Sequence, residues 1–183
     1  MAEQIASRRS ALEGRSAVHP CVSVTPAASA SRLSLRAPEE SVAALSKALG
    51  LALPQKIKTS AQNGERVALC LGPDEWLVLD ASGGDLPATL AQVTELHSAV
   101  DVSHRNLGID VSGEGAEATL AAGCPQDLSL EAFPVGACSR TVFGKIEIVV
   151  WRTAETGFRV ECWRSFSDYA FSLLEEGARD AAA

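Results

Sequence analysis

Residues 101–104 read Asp-Val-Ser-His and bring together three side-chain types used in hydrolase chemistry. A serine becomes a nucleophile when a neighbouring histidine takes its proton and a carboxylate orients that histidine. Successive side chains of an extended strand point to opposite faces, so Ser103 and His104 would face away from each other. The sequence also lacks the Gly-x-Ser-x-Gly motif that presents a hydrolase serine on a tight turn. We therefore expect a polar strand end here and no catalytic residue in this chain.

Motifs for nucleotides and metals are missing as well. The glycines at 113 and 115 lack the third glycine of the dinucleotide fingerprint, and no Gly-Lys-Ser or Gly-Lys-Thr ends a phosphate-binding loop. The five cysteines include no Cys-x-x-Cys pair, which argues against a disulfide framework. His19 and Cys21 flank a proline, but one such pair falls short of the four ligands of a zinc site. We predict no cofactor-binding residue and no metal ligand.

Tryptophan and arginine recur together near the C-terminal end of the chain, and both residue types dominate the binding energy of protein interfaces. Arg105, Arg140 and Lys145 add positive charge that would suit an acidic partner surface. A place in the core is an open alternative for each of the three tryptophans, which include Trp76. The predicted subunit interface comprises Arg105, Trp151, Arg152, Trp163 and Arg164.

Length and charge limit the function classes further. A chain of 183 residues fits one domain, and its net charge of -7 argues against a nucleic-acid partner. Residues 1–36 are the exception, with five arginines against two glutamates. We expect a flexible arm over 1–17, one domain over 18–177 and a flexible tail over 178–183. No apolar run is long enough for a membrane span and no secretory signal is recognisable, so we expect a cytoplasmic protein.

Hydrophobic spacing predicts short helices mixed with hairpin strands. Val42, Leu45 and Leu49 recur at helical spacing, and Gly50 would end that helix. The other predicted helices begin at Asp85-Leu86-Pro87, cover residues 116–122, and run from a Ser165 cap to a Gly177 stop. Predicted strands cover residues 66–71, 75–79, 99–103, 106–111, 145–152 and 158–162. Such a mixture indicates an α+β domain with mostly antiparallel strands rather than a parallel sheet.

Four groups of segments resemble one known family. They are Leu-Gly-Pro-Asp-Glu-Trp-Leu at 71–77; Val-Asp-Val-Ser-His-Arg-Asn-Leu at 100–107 with Val-Ser-Gly at 111–113; Cys-Ser-Arg-Thr at 138–141 with Phe-Gly-Lys at 143–145 and Trp-Arg at 151–152; and Phe-Arg-Val-Glu-Cys-Trp-Arg-Ser-Phe at 158–166 with Asp168 and Tyr169. In this order and spacing they resemble the gamma subunit of heterotetrameric sarcosine oxidase over roughly residues 66–175. Each segment alone would be weak, whereas the combination is specific.

A second resemblance concerns the fold. Residues 101–104, followed by Gly113 and residues 116–120, are similar to the N-terminal part of folate-binding aminomethyltransferases. This likeness implies two small sheets packed with short helices. Those enzymes carry a Gly-Gly-x-x-Asp-Asp stretch after this point, whereas the only Gly-Gly pair here, at 83–84, precedes it. Their catalytic carboxylate therefore has no matching position.

The first resemblance implies a supporting, non-catalytic subunit of a complex that oxidises sarcosine to glycine, reduces oxygen to peroxide and passes a one-carbon unit to tetrahydrofolate. It also implies that FAD, FMN, NAD and tetrahydrofolate lie on the alpha and beta subunits, that the delta subunit carries zinc, and that alpha is the main contact of this chain. Two alternatives stay open. One is a free-standing folate-binding one-carbon-transfer protein with Asp101 as its candidate pterin ligand, and the other is a scaffold for a different amine-oxidising complex.

Overall fold

The computed structural model describes residues 10–183, which contain eleven strands and four α-helices. The strands are β1 (Ala17–His19), β2 (Val22–Pro26), β3 (Ser31–Arg36), β4 (Ser60–Asn63), β5 (Arg66–Gly72), β6 (Glu75–Asp80), β7 (Ser98–Asp101), β8 (Asn106–Ser112), β9 (Cys138–Phe143), β10 (Ile146–Ala154) and β11 (Gly157–Trp163). The helices are α1 (Val42–Leu49), α2 (Leu86–Leu90), α3 (Ala116–Ala121) and α4 (Ser167–Ala181).

The strands form two antiparallel sheets. The first has six strands in the order β1-β2-β8-β11-β10-β9, and the second has five in the order β4-β5-β6-β3-β7. Every pair of neighbouring strands is antiparallel. The predicted α+β class, with two small antiparallel sheets and short helices, is therefore confirmed.

Because side chains along each strand alternate between the two faces of the sheet, the buried side chains form three hydrophobic clusters. One face of the six-stranded sheet packs on α3 and α4, through residues such as Val160 and Leu174. One face of the five-stranded sheet packs on α1 and α2, through residues such as Leu35 and Leu45. Between the sheets lies a third cluster that includes Leu69 and Val149. The order of layers is helices, sheet, sheet, helices. Polar side chains that point into the space between the two sheets become buried there.

The first two helices follow the predicted spacing in part. α1 ends where expected, because Gly50 adopts a φ of 62° that favours glycine. In α2 the carboxylate of Asp85 accepts a hydrogen bond from the Ala88 N–H at 2.9 Å, which caps the helix. The helix predicted to begin at Asp85-Leu86-Pro87 ends at Leu90, and His97 lies in an irregular segment before β7.

The predicted ends of the last helix are both wrong. Ser165 lies in a short 3-10 turn that precedes α4, and the helix continues through Gly177 to Ala181. A Cβ at Gly177 would stand 2.6 Å from the backbone oxygen of Thr119 in α3. Gly177 therefore allows the two helices to approach closely and does not act as a stop.

Both predicted chain ends contain regular structure. Leu12 is fully buried in the core, and Arg15 pairs with Asp168 at 3.0 Å, so the described part of the predicted arm is attached to α4. The predicted tail begins with the buried Ala178 and is helical up to Ala181. Residues 1–9 of the predicted arm lie outside the described residues. No helix within residues 10–183 is long and apolar enough to cross a membrane.

Candidate interaction surface

The Asp-Val-Ser-His segment forms a turn after β7. The Ser103 N–H donates to Asp101 Oδ1 at 2.8 Å, and the Ser103 hydroxyl oxygen accepts a hydrogen bond from the Arg32 N–H at 2.8 Å. The serine thus fastens the turn to β3, while the His104 side chain is exposed. The backbone N–H of Arg164 donates to the Arg105 carbonyl at 2.7 Å, which fixes this turn against the end of β11.

Three of the five predicted interface residues are exposed around that junction. The guanidinium of Arg105 lies 5.3 Å from the centre of the Trp163 ring. The rings of Trp163 and Phe166 stack 5.8 Å apart at 12°. Trp163 and Phe166 remain 42% and 40% exposed despite this contact. We call this group, with Arg164, the Trp163 surface.

The prediction that Arg152 belongs to the interface is wrong. Its side chain is only 1% exposed and lies 4.2 Å from the centre of the Phe158 ring. The guanidinium donates to the carbonyl oxygens of Leu128 and Glu155 and pairs with the Glu117 carboxylate at 3.2 Å. Arg152 therefore holds the connection between α3 and β9 against the six-stranded sheet.

Trp151 is half-buried and lies apart from the Trp163 surface. Trp151 lies opposite Arg159 in the β10–β11 ladder. Arg159 is four residues before Trp163, a separation of about 13 Å along the strand. Its ring packs beside the cluster between the sheets, and its Nε1 is buried with no hydrogen-bond partner among the described residues. The five predicted residues therefore do not form one patch.

A network of ion pairs borders the Trp163 surface and was not predicted. Glu75 in β6 receives Arg140 from β9 at 2.6 Å and Arg36 from β3 at 3.1 Å. The hydrogen bond from Arg140, with the charges of both arginines, lowers the pKa of the Glu75 carboxyl although burial opposes this. Asp74 and Glu147 complete what we call the Glu75 network, at 3.2 Å from Arg36 and 3.7 Å from Arg140.

The Trp163 surface and the Glu75 network meet at one end of the sandwich. A cavity of about 40 Å³ lies between them and is lined by Glu75, Arg105, Arg140, Glu147 and Trp163 among others. This volume is enough for an ordered water. The sequence indicated only that Glu75 begins a strand, because its contact with Arg140 depends on how the two sheets pack and leaves no local pattern.

A second group of charges is enclosed between the sheets. Arg32 Nε lies 2.6 Å from Glu161 Oε2, and Arg159 Nε lies 2.8 Å from Glu161 Oε1. Burial raises the pKa of the nearby Asp110, against the lowering effect of Arg159. We call these four residues the Glu161 cluster. Arg32 was expected in a basic N-terminal segment, and the nearly complete burial of its side chain corrects that expectation.

The structure also shows how the thiols and the side chains able to bind metals are arranged. Within residues 10–183, no group of three or more His, Cys, Asp and Glu side chains could hold a metal ion. The five cysteines are free, and Cys21 alone among them is partly exposed. Burial raises the pKa values of Cys138 and Cys162 to about 12.

Comparison with known proteins identifies the family. The model of the "Sarcosine oxidase, gamma subunit family" matches residues 36–181. The sarcosine oxidase subunit gamma of Corynebacterium sp. (strain P-1) is 33% identical over 135 residues, which are 72% of this chain and 66% of that protein. The matched region thus spans a little under two thirds of that relative's length.

Solved structures agree in fold. A chain of the heterotetrameric sarcosine oxidase from Corynebacterium sp. U-96, in complex with pyrrole 2-carboxylate, superposes with a TM-score of 0.83 and 26% identity, covering 96% of this chain and 97% of that one. The glycine cleavage system aminomethyltransferase T from Bartonella henselae matches with a TM-score of 0.67 and 16% identity over 90% of this chain and 49% of that one, which shows a shared fold. The chain belongs to the sarcosine oxidase gamma subunit family.

Proposed function

We propose that this chain is a non-catalytic subunit of a heterotetrameric sarcosine oxidase and that the Trp163 surface attaches it to the complex. The observation that carries the proposal is the exposed stack of Trp163 and Phe166 with Arg105 over the indole ring. Aromatic and arginine side chains of this kind supply most of the binding energy at protein interfaces. Such a group is costly to leave in water unless another surface covers it.

The neighbouring charges fit a permanent interface. Arg140 and Glu75 already hold each other between the two sheets, so this part of the surface is ordered before a partner arrives. An ordered surface binds with a smaller entropy cost than a flexible one. The half-exposed Arg36 and Asp74 at the rim then remain available for polar contacts with the partner.

In the complex we propose, sarcosine is oxidised to glycine with peroxide formation and transfer of a one-carbon unit to tetrahydrofolate. The alpha subunit is the main contact of this chain, with beta and delta completing the assembly in the cytoplasm. FAD, FMN, NAD and tetrahydrofolate are held on the other subunits. The role of this chain is to stabilise the assembly.

The alternative is a free-standing folate-binding protein of the aminomethyltransferase type, with Asp101 gripping the pterin. Asp101 is exposed at the end of β7, and its carboxylate accepts the Ser103 N–H. A carboxylate that grips a buried ring must line the pocket that holds the ring, and Asp101 is not among the described residues that line the cleft beside this turn. The geometry therefore favours the subunit role.

Co-expression with the alpha, beta and delta subunits tests the proposal. We expect the four chains to elute together in size exclusion, with a mass that matches equal numbers of each. Omission of this chain should reduce assembly or sarcosine-dependent peroxide formation. If the other three assemble and turn over equally well without it, the subunit role is wrong and the isolated chain should be tested for folate binding.

A further inference from the structure

A cleft of about 460 Å³ opens beside the turn after β7, and Asn106 lines both this cleft and the cavity under Trp163. Residues 27–31, which connect β2 to β3, form one wall, and Ser103, His104 and Gly108 form another. This volume lies in the range of pockets that hold small organic molecules. Neither the family assignment nor the Trp163 surface gives this cleft a role.

The lining of the cleft has a marked charge bias. None of the described residues that line it is acidic, although the chain has 23 acidic and 16 basic residues. Arg32, Arg164 and His104 are among the lining residues. Serines and Asn106 supply further hydrogen-bonding groups, whereas Leu107 and the alanines of residues 27–30 supply apolar surface. This combination suits a molecule with a carbon skeleton and a negatively charged end.

Gly108 makes the wall of the cleft thin at one point. A Cβ at this position would stand 2.8 Å from Arg159 Nη2, 2.8 Å from Glu161 Oε1 and 3.0 Å from the Ala27 Cβ. The Glu161 cluster therefore lies directly behind the backbone of the cleft. At so short a distance little solvent screens these charges, so they influence which ligands the cleft attracts.

The Glu161 cluster leaves one guanidinium donor without a partner among the described residues. The carboxylate of Glu161 serves both guanidinium groups, from Arg32 and from Arg159. Arg159 Nη2 is buried and has no hydrogen-bond partner among the described residues. Burial raises the pKa of Asp110, the other carboxyl of the cluster, whereas Arg159 lowers it. An unpartnered guanidinium nitrogen of Arg159 therefore lies behind the Gly108 wall.

We propose that this cleft binds a small organic anion, held by the turn at Ser103 and His104 and attracted by the Arg159 guanidinium behind Gly108. The apolar wall formed by residues 27–30 receives the carbon skeleton of the ligand. The site is formed by residues of this chain, and Arg164 is the one described lining residue that it shares with the Trp163 surface.

Titration of the full-length chain with benzoate and with citrate tests the proposal, with sodium chloride at equal ionic strength as the reference. Binding is followed by calorimetry and by the shift in melting temperature. We expect at least one of the two organic anions to bind saturably at millimolar concentrations, and to bind more tightly than inorganic phosphate.

Three variants locate the site. Arg159→Gln removes the charge and keeps a hydrogen-bond donor for Glu161, and His104→Ala changes only an exposed side chain at the mouth. We expect each to weaken anion binding about tenfold, since one nearby charge or charge-assisted hydrogen bond is worth that much. Arg179→Gln, an exposed arginine near the end of α4, is the matched control and should bind as the wild type does.

Three results would overturn the proposal. The first is no saturable effect of either organic anion beyond that of chloride. The second is an equal effect in all three variants, which would mean unspecific ionic binding. The third is an absence of anion binding together with impaired complex assembly in His104→Ala, which would make the cleft a protein contact.

Discussion

Arg32 in β3 and Glu161 in β11 form a two-point ion pair, with Nε to Oε2 at 2.6 Å and Nη2 to Oε1 at 3.2 Å. Their side chains are 5% and 1% exposed, and 129 residues separate them in the sequence. The pair joins the five-stranded sheet to the six-stranded sheet. A directional contact of this kind fixes how one sheet lies on the other.

Removal of one partner should therefore destabilise the chain strongly. Glu161→Gln leaves Arg32 and Arg159 without their carboxylate, and we expect the free energy of unfolding to fall by about 3–5 kcal/mol. Urea unfolding followed by circular dichroism measures this. Asp168→Asn, which removes a pair between an exposed aspartate and Arg15, should cost less than about 1 kcal/mol. Equal effects of the two variants would contradict the structural role of Arg32 and Glu161.

The buried Arg152 should control the order of the segment between α3 and β9. Arg152→Met keeps most of the side-chain volume but leaves the carbonyl oxygens of Leu128 and Glu155 without their donor. Each lost partner in a buried site costs about 1–3 kcal/mol, so we expect faster proteolysis within residues 122–137. Limited proteolysis with mass spectrometry locates the cuts. Cleavage equal to that of Arg179→Met would show that Arg152 does not hold this segment.

Gly177 should tolerate no larger residue, although it lies inside a helix. Alanine is favoured over glycine in a helix interior by about 1 kcal/mol, which predicts stabilisation if only propensity matters. The Cβ would instead meet the Thr119 backbone oxygen at 2.6 Å, so α3 and α4 must separate. We expect Gly177→Ala to destabilise the chain by about 1–3 kcal/mol in urea unfolding. The exposed neighbour Glu176→Ala serves as the control, and a more stable Gly177→Ala would disprove the close contact.

Acid should weaken the contact between the sheets at Glu75. Because Arg140 and Arg36 lower the pKa of this carboxyl below its ordinary value of 4.5, its contribution to stability is present above that value. The contribution is lost as the pH falls from 4.5 through the lower pKa of the folded state. We expect the wild type to lose more stability over this interval than Glu75→Gln does. If the stability of the wild type and that of Glu75→Gln in urea change equally with pH, the role assigned to Glu75 is contradicted.

Local patterns in the sequence predicted the helices and hairpins whose signals lie within one element. The spacing that ends at Gly50 and the alternation in β10 are examples, because each reports burial of one face. The glycine at 177 was misread, since the same residue type ends helices and permits close helix packing.

The candidate site was harder to predict, because its contacts join distant segments. Trp163 and Arg105 were singled out from their residue types, and they do lie together on the surface. Arg152 has the same residue type as Arg105 but is enclosed by three oxygens from other segments. Strand β3 was missed because its alternating side chains include Arg32, whose burial is explained only by Glu161.

Co-elution of the Trp163→Ala variant with the alpha, beta and delta subunits tests the central claim most directly. Leu130→Ala, which shortens an exposed apolar side chain elsewhere, is the matched control. Loss of an interface tryptophan costs about 2 kcal/mol or more, so we predict at least about thirtyfold weaker association for Trp163→Ala and wild-type association for Leu130→Ala. Equal co-elution of both variants with the wild type, at concentrations near the dissociation constant, would contradict the claim that this surface attaches the chain to its complex.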